Sequence, residues 1–267
     1  MVRIVTALIL ATGLWLLIRK APQPLFCFAA TVVIGIATWE CYRMISAEGS
    51  RPFKAIGVGI SVAVAYSFVG WYEVHLPFVL GCAITLALAM LMRDRPAEML
   101  ESALRTAFPV LFIGLSFGFL IGLRTMPGED GNNLLLFLFL CVILADTAAY
   151  YVGRTVGRHL MAPRLSPKKT WEGAIGGVLA STLGGGIAHF WFFQNLPLAH
   201  ALILGLVLGF AAIAGDLAES MVKRAAEVKD SSRLLPGHGG VLDRTDSLLF
   251  SGPILFYYYR FVLQAMS

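Results

Sequence analysis

Long apolar runs separated by short polar links dominate the chain. Nine runs reach or approach the about 17 to 25 residues that a helix needs to cross a bilayer. They cover residues 4–18, 24–42, 55–72, 76–92, 107–123, 134–152, 174–193, 198–215 and 248–264. The runs lack the alternation of barrel strands, and only helices or closed barrels satisfy every backbone group in hydrocarbon. The pattern predicts an all-α fold, a polytopic transmembrane helix bundle of about nine spans.

Composition supports a membrane protein. Hydrophobic residues make up 58% of the chain and charged residues 14%, with a mean hydropathy of +0.76, whereas about half of a soluble domain is apolar. The first run resembles a signal peptide, but Arg19-Lys20-Ala21-Pro22 is a poor cleavage site, so we expect a retained span. With no repeat or linker in the sequence, residues 1–267 are predicted to form a single integral-membrane domain.

Basic residues are distributed unevenly between the links. If the spans alternate, 17 of the 21 Lys and Arg residues fall on one side, and the other side holds Arg19, Lys20, Arg124 and Arg260. The positive-inside rule places the larger group in the cytoplasm. We therefore expect a multi-pass protein of the cell inner (plasma) membrane with a cytoplasmic N-terminus, a C-terminus outside and the polar links after spans 6 and 8 in the cytoplasm.

The richest polar stretch extends from Gly215 to Asp246. Its first part places a carboxylate, a hydroxyl and an ammonium on one predicted helix face, at Asp216, Glu219, Ser220, Lys223 and Glu227. A solvated amphipathic helix held by ion pairs is the simpler interpretation. However, Asp216 directly follows an apolar run, and an ionisable residue at that depth is rare unless it faces a bundle interior or a cavity.

A glycine-rich corner follows this helix. The segment Leu235-Pro236-Gly237-His238-Gly239-Gly240 cannot continue a helix, and its glycines allow backbone N–H groups to approach an anion. Asp243, Arg244 and Asp246 come directly after it. Carboxylates can hold Mg²⁺ and a guanidinium can neutralise phosphate oxygens, so the corner has the composition of a metal and phosphate site.

A second polar cluster extends from Asp146 to Gly173. Asp146 and Tyr150 lie one predicted helical turn apart, and the following link is strongly basic, with Arg154, Arg158, Arg164, Lys168 and Lys169. A link that only fixes topology would need the charge but not the intramembrane acid. We therefore favour ligand binding over a purely topological role.

Both clusters resemble recurrent blocks of the phosphatidate cytidylyltransferase family. The resemblance rests on Ser220, Lys223-Arg224, Lys229-Asp230, Leu235-Pro236, His238-Gly239-Gly240, Asp243-Arg244 and Asp246, then on Asp146-Thr147-Ala148-Ala149-Tyr150, Gly153-Arg154 and the segment from Ser166 to Gly173. Residues 140–250 form the most family-like, catalytic part. The N-terminal hundred residues match in hydrophobicity alone.

The resemblance implies a Mg²⁺-dependent transfer of the cytidylyl group of CTP to phosphatidate, giving CDP-diacylglycerol and pyrophosphate, with room for a second metal ion. Asp216, Asp243 and Asp246 would bind metal. The expected catalytic residues are these three with Lys223, Arg224 and Arg244. The expected substrate-binding residues are Asp146, Tyr150, Arg154, Ser166, Lys168, Lys169, Ser220, Lys229, Asp230, His238, Gly239 and Gly240.

Other functions were weighed against this one. The net charge of +5 could suggest a nucleic-acid partner, but the basic residues lie between apolar runs and not on a soluble module, so none is expected. A secondary transporter would also carry intramembrane acids, but the expected repeats are missing. A related CTP enzyme with another lipid acceptor stays open. Small residues in span 7 would permit a homodimer.

The orientation can be tested by labelling single cysteines. They would be introduced at Ser166, Ser232 and Ser267, in a background without the four native cysteines. A membrane-impermeant thiol reagent applied to intact cells should label position 267 only, because the other two would face the cytoplasm. Labelling at 166 or 232 would contradict the orientation.

Overall fold

A computed structural model describes residues 12–46, 52–70, 75–92, 95–126, 130–232, 234 and 239–264. In this part of the chain, residues 12–19 are helical, and nine labelled α-helices follow. They are α1 (Gln23–Ile45), α2 (Lys54–Tyr66), α3 (His75–Met92), α4 (Pro96–Pro109), α5 (Ser116–Arg124), α6 (Asp130–Val156), α7 (Trp171–Trp191), α8 (Leu198–Ala225) and α9 (Leu248–Tyr258). Two short strands are β1 (Leu160–Ala162) and β2 (Ser166–Thr170).

The helices confirm an all-α membrane fold. Five segments are long and apolar enough to cross a bilayer: Gln23–Ile45, Pro96–Arg124, Asp130–Val156, Trp171–Trp191 and Leu198–Ala225. Three shorter apolar segments, Lys54–Val69, Val79–Met92 and Leu248–Leu263, have 10–17 residues. Predicted spans 3, 4 and 9 correspond to these shorter segments, and most of span 1 lies outside the described residues. The count of nine spans therefore stays a prediction.

Short stretches of other helix types join or extend several helices. A 3₁₀ turn (Ser67–Gly70) follows α2, and a π-helical stretch (Tyr259–Leu263) follows α9. Another π-helical stretch (Val110–Leu115) joins α4 to α5 directly after Pro109. Proline supplies no backbone N–H, so a local change of helix type at this point is expected. Predicted span 107–123 is thus the second part of a longer helix.

The chain divides into two compact units. The first comprises residues 1–125 and 222–245, and the second comprises residues 126–221 and 246–267. The first division falls within α8, after Met221, and the second falls just before Asp246.

In the first unit, the helices approach closely at small residues. Tyr42 of α1 is fully buried, and its hydroxyl donates to the carbonyl oxygen of Thr106 at 2.5 Å. The Tyr42 ring lies over Gly57 of α2, where a Cβ atom would overlap the ring. Gly114 likewise contacts the backbone of Ser61. Packing of α1, α2 and the α4–α5 segment therefore depends on residues without bulky side chains.

The second unit contains an even closer set of helix contacts. Gly177 of α7 lies against the Ala145 carbonyl of α6, and Gly185 of α7 lies against the Ala201 carbonyl of α8. Gly205 of α8 contacts the backbone of Ser181 in return. The small residues of predicted span 7 are thus used for packing inside the chain, and the homodimer stays a prediction.

The link between α6 and α7 is a β-hairpin, which the sequence pattern did not predict. Strands β1 and β2 pair antiparallel, with Leu160 opposite Thr170 and Ala162 opposite Ser166. Thr170 then caps α7 by accepting a hydrogen bond from the Gly173 N–H at 3.2 Å. The hairpin thereby fixes the basic residues of β2 relative to the start of a membrane helix.

Two adjacent glycines of α7 test the packing in the second unit. A methyl group at Gly185 would overlap the Ala201 carbonyl, whereas one at Gly186 would meet Leu202 Cδ2 at 3.5 Å, an ordinary contact. We expect Gly185→Ala to lower the free energy of unfolding in detergent by about 1 to 3 kcal/mol. The matched control Gly186→Ala should be neutral or raise it by up to about 1 kcal/mol through helix propensity. Equal effects of both variants would refute this packing account.

Candidate active site

Three carboxylates converge in the second unit. Asp216 and Glu219 lie one turn apart on α8, and Asp246 lies two residues before the start of α9. One carboxylate oxygen from each lies within 4.8 Å of the others. Gly215 permits this approach, because a Cβ atom there would overlap the Asp246 carbonyl oxygen. Carboxylates at such distances repel one another unless a cation or a proton lies between them.

A fourth acid borders this carboxylate cluster. The Ser247 hydroxyl lies 3.1 Å from both carboxylate oxygens of Asp146 on α6. The Ser247 N–H donates to Asp246 Oδ1 at 2.8 Å. The buried Ser247 therefore connects Asp146, from the cluster at 146–173, to Asp246, from the cluster at 215–246.

A lysine from the hairpin also reaches the cluster. Lys169 Nζ lies 2.6 Å from Asp216 Oδ2, with the two side chains 21% and 34% exposed. This contact brings together the two separate sequence clusters, at positions 47 residues apart in the chain. The second unit thus combines carboxylates with an ammonium, a composition suited to a divalent cation and an anionic ligand.

In the first unit, Lys223 and Asp243 form an ion pair. Lys223 Nζ lies 2.8 Å from Asp243 Oδ1, and the side chains are only 14% and 7% exposed. Asp243 Oδ2 also accepts hydrogen bonds, each of 2.8 Å, from the Ser231 N–H, the Ser231 hydroxyl and the Gly240 N–H. Burial alone would raise the Asp243 pKa, but these hydrogen bonds and the Lys223 charge outweigh it and lower the pKa.

The glycine-rich corner donates a hydrogen bond to the Asp243 carboxylate. Gly239 has a φ of +83°, which favours glycine, and a Cβ atom at Gly240 would overlap the Ser231 hydroxyl. The sequence predicted that the corner brings backbone N–H groups to an anion. In the structure, the anion that the Gly240 N–H contacts is Asp243. The predicted metal ligand Asp243 is thus held in the first unit, whereas Asp216 and Asp246 belong to the second.

Glu40 is a buried, hydrogen-bonded acid that the sequence pattern did not single out. It is 3% exposed on α1, and it accepts hydrogen bonds from Ser231, Ser232, Val241 and Leu242. An available signal was its position inside the apolar run 24–42, which is the criterion that selected Asp216. Glu219 was included in the predicted helix face but not among the metal ligands.

The other predicted site residues in the described part of the chain lie outside the carboxylate cluster and the Lys223–Asp243 ion pair. Arg154 donates to the Tyr150 hydroxyl at 3.1 Å, and both side chains are exposed. Ser166 and Lys168 lie on β2, with Lys168 exposed. Ser220 is buried in α8.

Near the end of α8, Arg224 donates to the Val228 carbonyl at 3.2 Å. The residues Lys229, Asp230 and Arg244 are exposed, and His238 lies outside the described residues. The predicted helix face was wrong at its last member, because α8 ends at Ala225 and Glu227 has a φ of +55°.

Comparison with known proteins identifies the family. Residues 1–262 match the family described as "Cytidylyltransferase family". The chain belongs to this family. A Haemophilus influenzae protein named phosphatidate cytidylyltransferase is 34% identical over 258 residues, covering 88% of each chain. A Pseudomonas aeruginosa protein of the same name is 37% identical over 270 residues, covering 94% of each chain.

A third relative matches over a shorter region. A Staphylococcus haemolyticus protein, also named phosphatidate cytidylyltransferase, is 42% identical over 146 residues, covering 55% of each chain. The resemblance that the two polar clusters indicated is therefore confirmed. Together with the five long apolar helices, these bacterial relatives support an integral membrane protein.

The Lys223–Asp243 pair can be tested by its contribution to stability. Removing one partner from a pair this buried leaves a charge uncompensated, so we expect Lys223→Met to lower the free energy of unfolding by about 3 kcal/mol. Adding Asp243→Asn should recover at least about 1 kcal/mol of that loss, since no charge is then left unpaired.

The control is the exposed pair Arg95–Glu98, in which Arg95 Nε lies 3.9 Å from Glu98 Oε1 and the side chains are 82% and 53% exposed. Arg95→Ala should change stability by less than about 0.5 kcal/mol. Additive losses from the two changes at positions 223 and 243 would contradict the pairing.

Proposed function

We propose that this protein transfers the cytidylyl group of CTP to phosphatidate, giving CDP-diacylglycerol and pyrophosphate in phospholipid biosynthesis. Family membership and the relatives named phosphatidate cytidylyltransferase support this nucleotidyltransferase activity. The single structural observation that carries it is the carboxylate cluster of Asp216, Glu219 and Asp246. Phosphoryl transfer depends on positioning and charge neutralisation, which clustered acids and basic side chains can provide.

The cofactor in this proposal is Mg²⁺. This ion is usually held by one or two carboxylates together with substrate phosphates, and three acids whose oxygens lie within 4.8 Å of one another can supply such ligands. Asp216, Glu219 and Asp246 would hold it, with Asp146 close enough to support a second ion through Ser247. When bound, the metal would neutralise phosphate oxygens of CTP. Asp243, which already accepts three hydrogen bonds and an ion pair, would orient Lys223.

The protein side chains need only orient the reacting phosphates. A phosphatidate oxygen forms a bond to the α-phosphorus of CTP, and the bond from that phosphorus to the bridging oxygen breaks, which releases pyrophosphate. The phosphatidate phosphate is already a nucleophile at neutral pH, so neither a protein nucleophile nor a strong base is required. Lys169 and Lys223 would neutralise charge on the phosphates, and Arg224 and Arg244 would contribute further positive charge.

The proposed site faces the cytoplasm. CTP is charged and cannot cross hydrocarbon unaided, and the basic links after predicted spans 6 and 8 lie on the side favoured by the positive-inside rule. The acyl chains of phosphatidate can then stay in the bilayer while its head group meets CTP. An enzyme arranged in this way does not have to extract its lipid substrate.

Pyrophosphate release provides the test of both activity and metal. Purified protein in detergent should release pyrophosphate from CTP only when phosphatidate and a divalent cation are both added. Glu219→Gln and Asp246→Asn should each lower kcat/KM by about 100-fold or more, a typical size for the loss of a group that stabilises transition-state charge. Both should also weaken Mn²⁺ binding followed by electron paramagnetic resonance.

The exposed residue Glu98 supplies the control variant Glu98→Gln, which should keep both properties. Release of pyrophosphate without phosphatidate would contradict the acceptor. Normal Mn²⁺ binding in both cluster variants would contradict the metal assignment while leaving the transfer activity standing. Solute flux into vesicles without CTP consumption would favour a transporter.

A further inference from the structure

Glu40 is a buried acid on a largely apolar helix. It lies on α1, one of the five segments long enough to span a bilayer, and its side chain is almost completely shielded. A carboxylate in such a place is strongly unfavourable unless donors surround it. Among the described residues, its four hydrogen-bond donors lie far along the sequence, at positions 231, 232, 241 and 242.

These donors are divided evenly between the two carboxylate oxygens. Oε1 accepts from the Ser232 hydroxyl at 2.5 Å and from the Val241 N–H at 3.2 Å. Oε2 accepts from the Ser231 hydroxyl at 3.2 Å and from the Leu242 N–H at 2.9 Å. Each oxygen thus joins one serine, at position 231 or 232, to one backbone N–H, at position 241 or 242, so Glu40 ties together the two described ends of this loop.

Ser231 of this loop contacts the Lys223–Asp243 ion pair of the first unit. The Ser231 hydroxyl lies between two acids, 3.2 Å from Glu40 Oε2 and 2.8 Å from Asp243 Oδ2. Asp243 in turn holds Lys223. A continuous chain of polar contacts therefore runs from Glu40 through Ser231 and Asp243 to Lys223, and the residue after Asp243 is Arg244.

We propose that Glu40 is a positioning residue for the transfer reaction. It ties residues 231 and 232 to residues 241 and 242, the described ends of the loop, and, through Ser231, fixes the Asp243 carboxylate that orients the Lys223 ammonium toward a substrate phosphate. This inference rests on the proposed function, because Lys223 is assigned to phosphate neutralisation there. Glu40 itself touches no reacting atom in this scheme and acts only through the loop.

The proposal requires a carboxylate and not an amide. Each oxygen of Glu40 accepts from a backbone N–H, which cannot reverse its role as a donor. In Glu40→Gln, the side-chain NH₂ group would therefore face either the Val241 or the Leu242 N–H, donor against donor. The substitution removes the charge and opens one arm of the loop while changing the side-chain volume very little.

The first test compares Glu40→Gln with Thr38→Val, a near-isosteric change on the same helix. Thr38 is fully buried, and its hydroxyl has no hydrogen-bond partner among the described residues. We expect Glu40→Gln to lower kcat by about tenfold or more at saturating CTP and phosphatidate, since orientation at the reacting centre affects the transition state more than binding. Its KM values should stay close to those of Thr38→Val, whereas its thermal midpoint should be lower, because one buried backbone N–H loses its acceptor. A kcat within twofold of that control would overturn the proposal.

A second pair of variants covers the case in which Glu40→Gln does not fold. Ser231→Ala removes the hydroxyl between the two acids but leaves the other donors to Glu40, and should lower kcat about threefold or more. Its control is Ser61→Ala, because Ser61 is also buried but donates to Gly57 of its own helix at 2.9 Å. Equal kcat values for these two variants would overturn the relay through Ser231.

Hydrogen exchange supplies a readout that is independent of turnover. The Val241 or the Leu242 amide should exchange faster in Glu40→Gln than in Thr38→Val, because one of the two loses its acceptor. Unchanged exchange would refute loop closure by Glu40. If wild-type protein and controls released no phosphatidate-dependent pyrophosphate, the proposed function would fail, and the exchange result would still decide whether Glu40 holds the loop.

Discussion

The hydrogen bonding of carboxylates carried by membrane helices is the constraint on which the candidate site depends. An ionised group in hydrocarbon is strongly unfavourable unless it has a partner or faces a polar cavity. Glu40 accepts hydrogen bonds from residues 231, 232, 241 and 242, and Asp146 accepts one from Ser247. Asp216 forms an ion pair with Lys169. These pairings tie each membrane helix concerned to a polar segment, so the requirement to solvate the acids also organises the site.

Close backbone approach is the second requirement. Carboxylates on α8 and before α9 can share a ligand only if their backbones come within reach, and Gly215 removes the side chain that would prevent it. Gly177 and Gly185 perform the same role along α7. Because hydrocarbon gives little hydrophobic drive for helix association, van der Waals contact at small residues contributes much of the packing. The glycine content therefore serves the geometry of the site as well as the bundle.

The two compact units contain different kinds of polar chemistry. The second holds a cluster of acids contacted by one lysine, which suits a cation and the phosphates bound to it. The first holds a loop in which a buried acid is surrounded by donors and an ion pair is fixed by backbone N–H groups. The proposed roles of Glu219 and Glu40 follow from this difference.

The sequence by itself determined the membrane class, the helical fold, the two polar clusters and the family, because apolar run length and motif composition are local properties. It predicted the positions of several helices and singled out Asp216, Asp246 and Lys169, whose side chains lie close together in the structure. Only the tertiary structure decided that Glu219 completes the carboxylate cluster, that Asp243 pairs with Lys223, and that Glu40 meets a loop 191 residues later. It also decided that α8 ends before Glu227 and that the basic link is a hairpin. Which carboxylates lie close enough to share a cation and which accept hydrogen bonds depends on distances between segments remote in the chain, and helix periodicity carries no information about those distances.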